Sequence, residues 1–148
     1  MTGEPTPCPL TPSEQYSYMS LWCLMAAPLF YSGDMTQLDA FTLNVLCNPE
    51  VIEINQDTLG KQGYPVVVDT DREVWTKPLE DGSVAIGLFN TGEMPKEMAF
   101  SWKEAGLSGR HRLRDLWRQK DVGVFEDSFD TGTIPRHGVV FLRAWPAN

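Results

Sequence analysis

From residue 65 onward, the chain is a series of short runs rich in β-branched and aromatic residues. These runs are PVVVD, EVWTKPL, SVAIGLF, KEMAFSW, HRLRDLW, DVGVF and GVVFLRAW. The turn signals between them include Thr70-Asp71, Asp81-Gly82, Thr91-Gly92 and Ser108-Gly109. Strands that start about 8 to 12 residues apart are typical of an antiparallel sandwich, and not of a propeller or a βαβ chain. The pattern predicts a sandwich of roughly eight strands over residues 62–148.

A helix is predicted before this series, and it begins sharply. Thr11 is a good N-cap, Pro12 suits the first helical position, and Glu14 completes a Thr-x-x-Glu capping box. The helix is expected to run to about Ala27 and to be apolar on all sides in its second half, which indicates that it is covered on most sides. The apolar stretch LWCLMAAPLFY is shorter than the roughly 20 residues needed to cross a bilayer.

The helix is followed by an apolar run and by two further helix signals. Pro28 ends the helix, and residues 29–32 have the length and aromatic content of a strand buried on both faces. A second helix is predicted over residues 37–47, and Asn48 caps a short third helix through Ile54. Helix, buried strand and helix together form one unit of a parallel α/β architecture, so the chain as a whole is predicted to be α+β.

The charge of the chain restricts its partners. A formal net charge of −8 and a pI near 4.6 disfavour nucleic acid and anionic membrane, since both attract basic surfaces. The first residues, MTGEPTPCPLTP, lack the basic and apolar regions of a secretory signal, and residues 1–10 are predicted to be a proline-rich, extended lead-in. The compartment is left open.

Three cysteines, Cys8, Cys23 and Cys47, have no metal-ligand spacing, and their odd number leaves at least one thiol unpaired. A disulfide framework is therefore not expected. Cys23 and Cys47 lie in apolar helical runs and are expected to be small buried hydrophobes.

Four longer segments resemble a known family. They are SLWCLMAAPLFYSGDM, LDAFTLNVLCNPEVIEINQDTLGKQG, VWTKPLEDGSVAIGLFNTGE and RDLWRQKDVGVF with HGVVFLRA. Together they resemble the C-terminal portion of the α-galactosidase (melibiase) family of glycoside hydrolases, whose members are an eight-fold (β/α) barrel followed by an antiparallel β-domain. The resemblance implies three parts: the lead-in 1–10, the last βα unit of the barrel over 11–61, and the C-terminal β-sandwich domain over 62–148. Residues 29–32 would be the eighth barrel strand.

The family hydrolyses terminal α-D-galactosides with retention, which requires two carboxyl groups on either side of the scissile bond. In the family the nucleophile follows the fourth barrel strand and the acid/base follows the sixth, and this sequence contains neither segment. We therefore assign no catalytic, substrate-binding or metal residue and no cofactor, and we expect the chain to be inactive alone. The expected partners are an α-galactoside for the whole enzyme, and either the missing barrel portion or a second copy pairing through the exposed strand at 29–32.

An alternative interpretation is an independent carbohydrate-binding or structural β-sandwich module. Four tryptophans could form a sugar-stacking platform, although alternating core positions fit their spacing as well. They are Trp75, Trp102, Trp117 and Trp145. A free module has no need of a barrel-like helix, strand and helix, so the sequence favours the fragment of an enzyme.

The remaining polar candidates have ordinary explanations. Asp34 follows the predicted strand at the edge where barrels place their sites, but a role in capping or turning the chain is favoured. Asp39 fits the acidic first turn of the next helix. The Asp69-Thr70-Asp71 stretch lacks the later positions of a calcium loop. His111 and His137 are expected to be polar residues on strands. Three acidic residues near a turn are expected to form a solvated face: Glu126, Asp127 and Asp130.

Overall fold

The computed structural model describes residues 8–147. Its N-terminal part contains helix α1 (Pro12–Leu24), a 3-10 turn (Met35–Gln37), α2 (Ala40–Leu46) and α3 (Pro49–Asn55). Eight strands follow: β1 (Tyr64–Val68), β2 (Arg72–Pro78), β3 (Val84–Asn90), β4 (Lys96–Ser101), β5 (His111–Asp115), β6 (Lys120–Phe125), β7 (Ser128–Ile134) and β8 (Val139–Pro146). A one-turn helix, α4 (Trp102–Ala105), joins β4 to β5.

The strands form two antiparallel sheets. The larger has the order β1-β2-β3-β8-β5-β6, and the smaller pairs β4 with β7. The predicted antiparallel sandwich with roughly eight strands, preceded by helices, is therefore confirmed. Two elements were not anticipated: β7, whose sequence SFDTGTI was not among the predicted strands, and α4, which begins at Trp102 where a strand was expected to continue.

The large sheet separates two apolar cores. Alternate residues on each strand point to opposite faces, so Leu142 and Ala144 on β8 pack toward the small sheet. Phe141, the residue before Leu142 on β8, packs on the other face against α1 and α3. The molecule thus has three layers: helices, large sheet and small sheet.

Helix α1 supplies much of the helical layer. Its capping box is present, since the Thr11 side chain accepts from the Glu14 N–H and the Glu14 carboxylate accepts from the Thr11 N–H. The helix ends at Leu24, before the expected Ala27, and Ala26 adopts a left-handed φ of 51°. No helix among residues 8–147 is long and apolar enough to span a membrane.

The predicted strand at residues 29–32 is wrong. These residues are irregular, and the side chain of Phe30 is 91% exposed. A strand needs a neighbour to satisfy its backbone N–H and C=O groups, and no strand of the described chain pairs with this segment. The second helix is likewise split, because the chain forms a 3-10 turn at Met35–Gln37 before α2 begins at Ala40. The third helix is confirmed, with Asn48 as its N-cap.

The cysteine predictions have different outcomes. Cys23 is fully buried on α1, as expected for a small hydrophobe. Cys47 is exposed at the C-cap of α2, so its predicted burial is wrong. Its backbone lies where the helix ends and no other element covers it, whereas Cys23 faces the large sheet.

Candidate functional site

Helix α1 is apolar on two opposite sides. One side carries Met19, Cys23 and Leu24, which are buried against the large sheet. Tyr18 lies away from this core, 56% exposed, with its ring stacked on Trp22 at a centroid distance of 5.1 Å. The apolar character of α1 therefore extends to a solvent-facing side of the helix.

The segment that follows α1 extends this exposed apolar character. Phe30 is 91% exposed, Met35 69% and Tyr31 46%. The start of the segment is anchored, because the Trp22 indole donates to the Pro28 carbonyl at 3.0 Å. We call the aromatic residues Tyr18, Trp22, Phe30 and Tyr31, together with the apolar Met35, the outer aromatic set.

Asp34 caps the 3-10 turn and Asp39 caps α2. Asp34 Oδ1 accepts from the N–H of Thr36 at 2.9 Å and from its hydroxyl at 2.6 Å, and these bonds lower the pKa of Asp34. Asp39 accepts from the N–H of Thr42 at 2.8 Å and caps α2 in the same way. The favoured role of Asp34 as a cap is therefore confirmed.

Helix α3 is held on the sandwich by two parallel ion pairs. Glu50 receives a bidentate pair from Arg114 on β5, at 2.6 and 2.7 Å. One turn along the helix, Glu53 accepts from Arg143 on β8 at 2.7 Å. The two arginines are register partners across β5 and β8, so the spacing of the glutamates on the helix matches adjacent strands of the sheet.

Two open grooves of about 310 and 360 Å³ flank α3 and share Glu53, Asp81 and Arg143. Arg143 is nearly buried and donates to all three polar neighbours: Glu53, Asp81 at 2.9 Å and Ser83 at 2.9 Å. Burial acts to raise the pKa of Asp81, but hydrogen bonds from Ser83 and Trp145 and the charge of Arg143 lower it to about 2. The two carboxylates that both grooves share, Glu53 and Asp81, thus both bind Arg143.

The four tryptophans do not share a platform. Trp102 is 3% exposed and belongs to the core between the sheets. Trp75 and Trp117 are half-buried beneath the helices, and the Trp117 indole donates to Ser20 on α1 at 2.8 Å. Trp145 lies within 4.5 Å and 4.8 Å of the guanidinium carbons of Arg112 and Arg143. Core packing, which the spacing favoured, describes three of the four.

The two histidines occupy different environments. His111 begins β5, is 5% exposed, and lies edge-on to Trp102. His137 was expected on a strand, but it lies in the turn between β7 and β8 with a φ of 51°. There it contacts Glu14 of α1 at 2.8 Å. The pattern of the sequence placed a strand at GVVFLRAW but gave no sign of this long-range contact.

The remaining acidic candidates are engaged at the surface. Asp69 pairs with Arg72 at 3.0 Å, and Asp71 pairs with Lys96 at 3.0 Å. The predicted solvated face is confirmed, because its three acidic residues are exposed: Glu126, Asp127 and Asp130. Burial raises the pKa of the Cys23 thiol to about 12, which leaves it a poor nucleophile at neutral pH.

Two family models match the chain. A model described as the α-galactosidase C-terminal β-sandwich domain covers residues 69–144, and a model described as α-galactosidase A covers residues 8–57. Among curated relatives, a probable α-galactosidase of Dictyostelium discoideum is 38% identical over 141 residues, which is 92% of this chain and 37% of that protein. An α-galactosidase of Coffea arabica is 39% identical over 110 residues, 73% of this chain and 29% of that protein.

Solved structures give the same result. The α-galactosidase I of Mortierella vinacea superposes with a TM-score of 0.89 at 25% identity, over 93% of this chain and 36% of that one. A GH27 β-L-arabinopyranosidase of Geobacillus stearothermophilus gives 0.86 at 28% identity, over 94% and 31% of the two chains. The chain therefore spans about a third of the length of the proteins it matches.

Proposed function

Because this chain belongs to the α-galactosidase family and corresponds to its C-terminal portion, we propose that it serves a retaining glycosidase that hydrolyses terminal α-D-galactosides. Within that enzyme, its role is to hold the last barrel helices on a β-sandwich and to present the outer aromatic set to the rest of the barrel. The proposal also keeps the division into a barrel unit over residues 11–61 and a sandwich domain over residues 62–148.

The two-sided character of α1 carries this proposal. Its inner side fills the core above the large sheet, while Tyr18 and the following Phe30 are exposed on the outside. Exposed apolar side chains in such numbers mark an interaction surface. Roughly two thirds of the length of these relatives lies outside their match to this chain, and that additional chain is the occupant we assign to the surface.

Catalysis by this chain alone is not expected. A retaining glycosidase needs one carboxyl group with a raised pKa as its acid. Among residues 8–147, every carboxyl group whose pKa is shifted has a lowered pKa, because it caps a helix or pairs with a cation. These groups are Glu14, Asp34, Asp39, Asp81, Glu93 and Glu104. The resemblance assigns the nucleophile and the acid/base to segments that this sequence does not contain.

The alternative, an independent carbohydrate-binding or structural module, has less support. A sugar platform needs an uncovered aromatic face. Trp145, the candidate that belongs to neither core, has two guanidinium groups over its ring. A free module would also not require the ion pairs that fix α3 to the sheet.

The test is reconstitution from two pieces. The N-terminal part of the Dictyostelium relative, ending before its match to this chain, is mixed with this chain and assayed with an aryl α-galactoside. Activity is expected only when both pieces are present, and each piece alone should match buffer. Turnover by this chain alone would contradict the proposal, as would a mixture without activity in which the pieces demonstrably associate.

A matched pair of variants tests the surface itself. Phe30→Asp places a charge on the outer aromatic set, and Met94→Asp places one on another exposed apolar residue, 74% exposed in the loop after β3. Phe30→Asp should abolish association with the N-terminal piece, and Met94→Asp should leave it intact. Light scattering could show instead that Phe30→Asp dissociates a dimer of this chain without changing its association with the N-terminal piece. In that case the surface pairs with a second copy.

A further inference from the structure

We propose that the proton on the imidazole of His137 controls how tightly the first turn of α1 is held on the sandwich. His137 lies in the turn between β7 and β8 with a left-handed φ of 51°, and its ring contacts Glu14 on α1. This inference concerns the described chain and does not depend on the proposed enzymatic role.

Three contacts converge on His137. Its Nδ1 lies 2.8 Å from Glu14 Oε1 on α1, and its Nε2 lies 3.3 Å from Glu93 Oε1 in the loop after β3. Its carbonyl accepts a hydrogen bond from the Ser17 hydroxyl at 2.6 Å. Glu14 and Ser17 are one helical turn apart, so His137 contacts one face of α1 through both its ring and its backbone.

The number of ring protons decides how many of these links form. An imidazolium donates from both nitrogens, whereas a neutral imidazole donates from only one. Both ring nitrogens of His137 face carboxylates, so loss of the proton removes the hydrogen bond from His137 to either Glu14 or Glu93. The remaining bond also loses the strength that the positive charge gives it.

The other groups around His137 keep their charge through neutral pH. Arg136 donates to Glu93 Oε2 at 2.6 Å and lies 3.8 Å from Glu14 Oε1. Thr11 donates to Glu14 Oε2 at 2.8 Å. Arginine does not deprotonate in proteins, and histidine is the side chain that changes charge between about pH 5 and 8.

Amide hydrogen exchange tests the proposal on the intact chain. Protection of the α1 peptide is measured at about pH 5.5 and about pH 8, either side of the imidazole range, after correction for intrinsic exchange rates. Protection should fall by about two- to five-fold at the higher pH, the size expected of ion pairs near a surface. Peptides from β3 and β8 should not change. Equal protection of α1 at both values would overturn the proposal.

Three variants separate the proton from the fold. His137→Asn retains a residue that tolerates the left-handed conformation, and it should make α1 protection low and independent of pH. Glu93→Gln alters a 74% exposed side chain and should reduce the pH dependence without unfolding the chain. Glu97→Gln alters an exposed side chain of β4, is the matched control, and should behave like the wild type. A pH response that survives in His137→Asn would show that another group causes it.

Discussion

Leu24 lies directly over Gly87. A Cβ built on Gly87 would stand 2.7 Å from Leu24 Cδ1 and 2.7 Å from Phe89 Cε2. The missing side chain in the middle of β3 is what allows α1 to pack this closely on the large sheet.

Gly87→Ala should therefore push α1 away from the sheet. Overpacking of a filled core costs about 1–3 kcal/mol, and we expect a loss of this size in the free energy of unfolding measured with urea. Leu24→Ala should itself cost about 2–5 kcal/mol through the cavity it leaves. In the double variant, the cost of Gly87→Ala should shrink, since one of its two clashes is gone. Strict additivity would show that the clash is absorbed elsewhere.

Asn48 joins α3 to the sandwich as well as capping it. Its Oδ1 accepts from the N–H groups of Glu50 and Val51, and its Nδ2 donates to the Leu116 carbonyl at 3.0 Å. Asn48→Ala should lower the free energy of unfolding by about 1–2 kcal/mol or more, because the cap is lost and a buried carbonyl is left unpaired. Asp39→Ala removes an exposed cap on α2 and should cost about half as much. If both variants lost the same free energy of unfolding, the bond to Leu116 would contribute no stability.

The elements that the sequence predicted correctly are those that local chemistry determines. The capping box at Thr11, the cap at Asn48 and the alternation of β-branched residues correctly predicted α1, α3 and seven strands. Strand β7 was missed because SFDTGTI carries few large apolar side chains, and only its pairing with β4 makes it a strand. The strand predicted at 29–32 failed for the opposite reason, since an apolar sequence without a partner remains irregular.

The contacts that attach the helices to the sandwich could not be predicted. The Glu50 and Glu53 spacing on α3 is visible in the sequence, but its match to Arg114 and Arg143 requires that β5 and β8 be neighbours. That neighbourhood follows from a strand order that skips β6 and β7 along the chain. The link between His137 and Glu14 spans 123 residues and has no local signal.

Lys77 is buried in the middle of the protein, and its ammonium has no hydrogen-bond partner among the described residues. Burial lowers its pKa, with the charge of Asp57 acting in the opposite direction. Lys77→Met keeps an unbranched side chain that is one atom shorter and removes the buried charge. We expect the urea unfolding free energy at neutral pH to rise by about 1–3 kcal/mol, the cost of an unsatisfied buried group.

The pH dependence gives an internal check on Lys77. A lysine whose folded pKa is lowered binds fewer protons in the folded state, so wild-type stability rises as the pH passes from the folded value toward the ordinary one of about 10.4. The advantage of Lys77→Met should therefore shrink in alkaline solution. An advantage that is equal at neutral and alkaline pH would mean that Met packs better for reasons unrelated to charge.

Glu14 should make the chain sensitive to acid. The hydrogen bond from His137, with those from Thr11, lowers the pKa of Glu14 from 4.5 to about 2. The unfolded state then binds more protons than the folded state between these values, so this stabilisation is complete above about pH 4.5 and is lost as the pH falls toward 2. Glu14→Gln should be less stable than the wild type at pH 6 and equal to it near pH 2, measured by urea unfolding at each pH. A gap that stays constant over this range would contradict the assignment.

A fragment of residues 62–148 should fold without the helices. The core between the two sheets is built entirely from this part of the chain, including Phe100, Leu113 and Ile134. The helix-facing side of the large sheet would lose its cover, which exposes Phe89 and Phe141. We expect a β-type circular dichroism spectrum and cooperative unfolding, together with binding of an apolar dye to the uncovered face of the large sheet. A random-coil spectrum would show that α1 and α3 are required for the sandwich to form, and that residues 62–148 are not a separate folding unit.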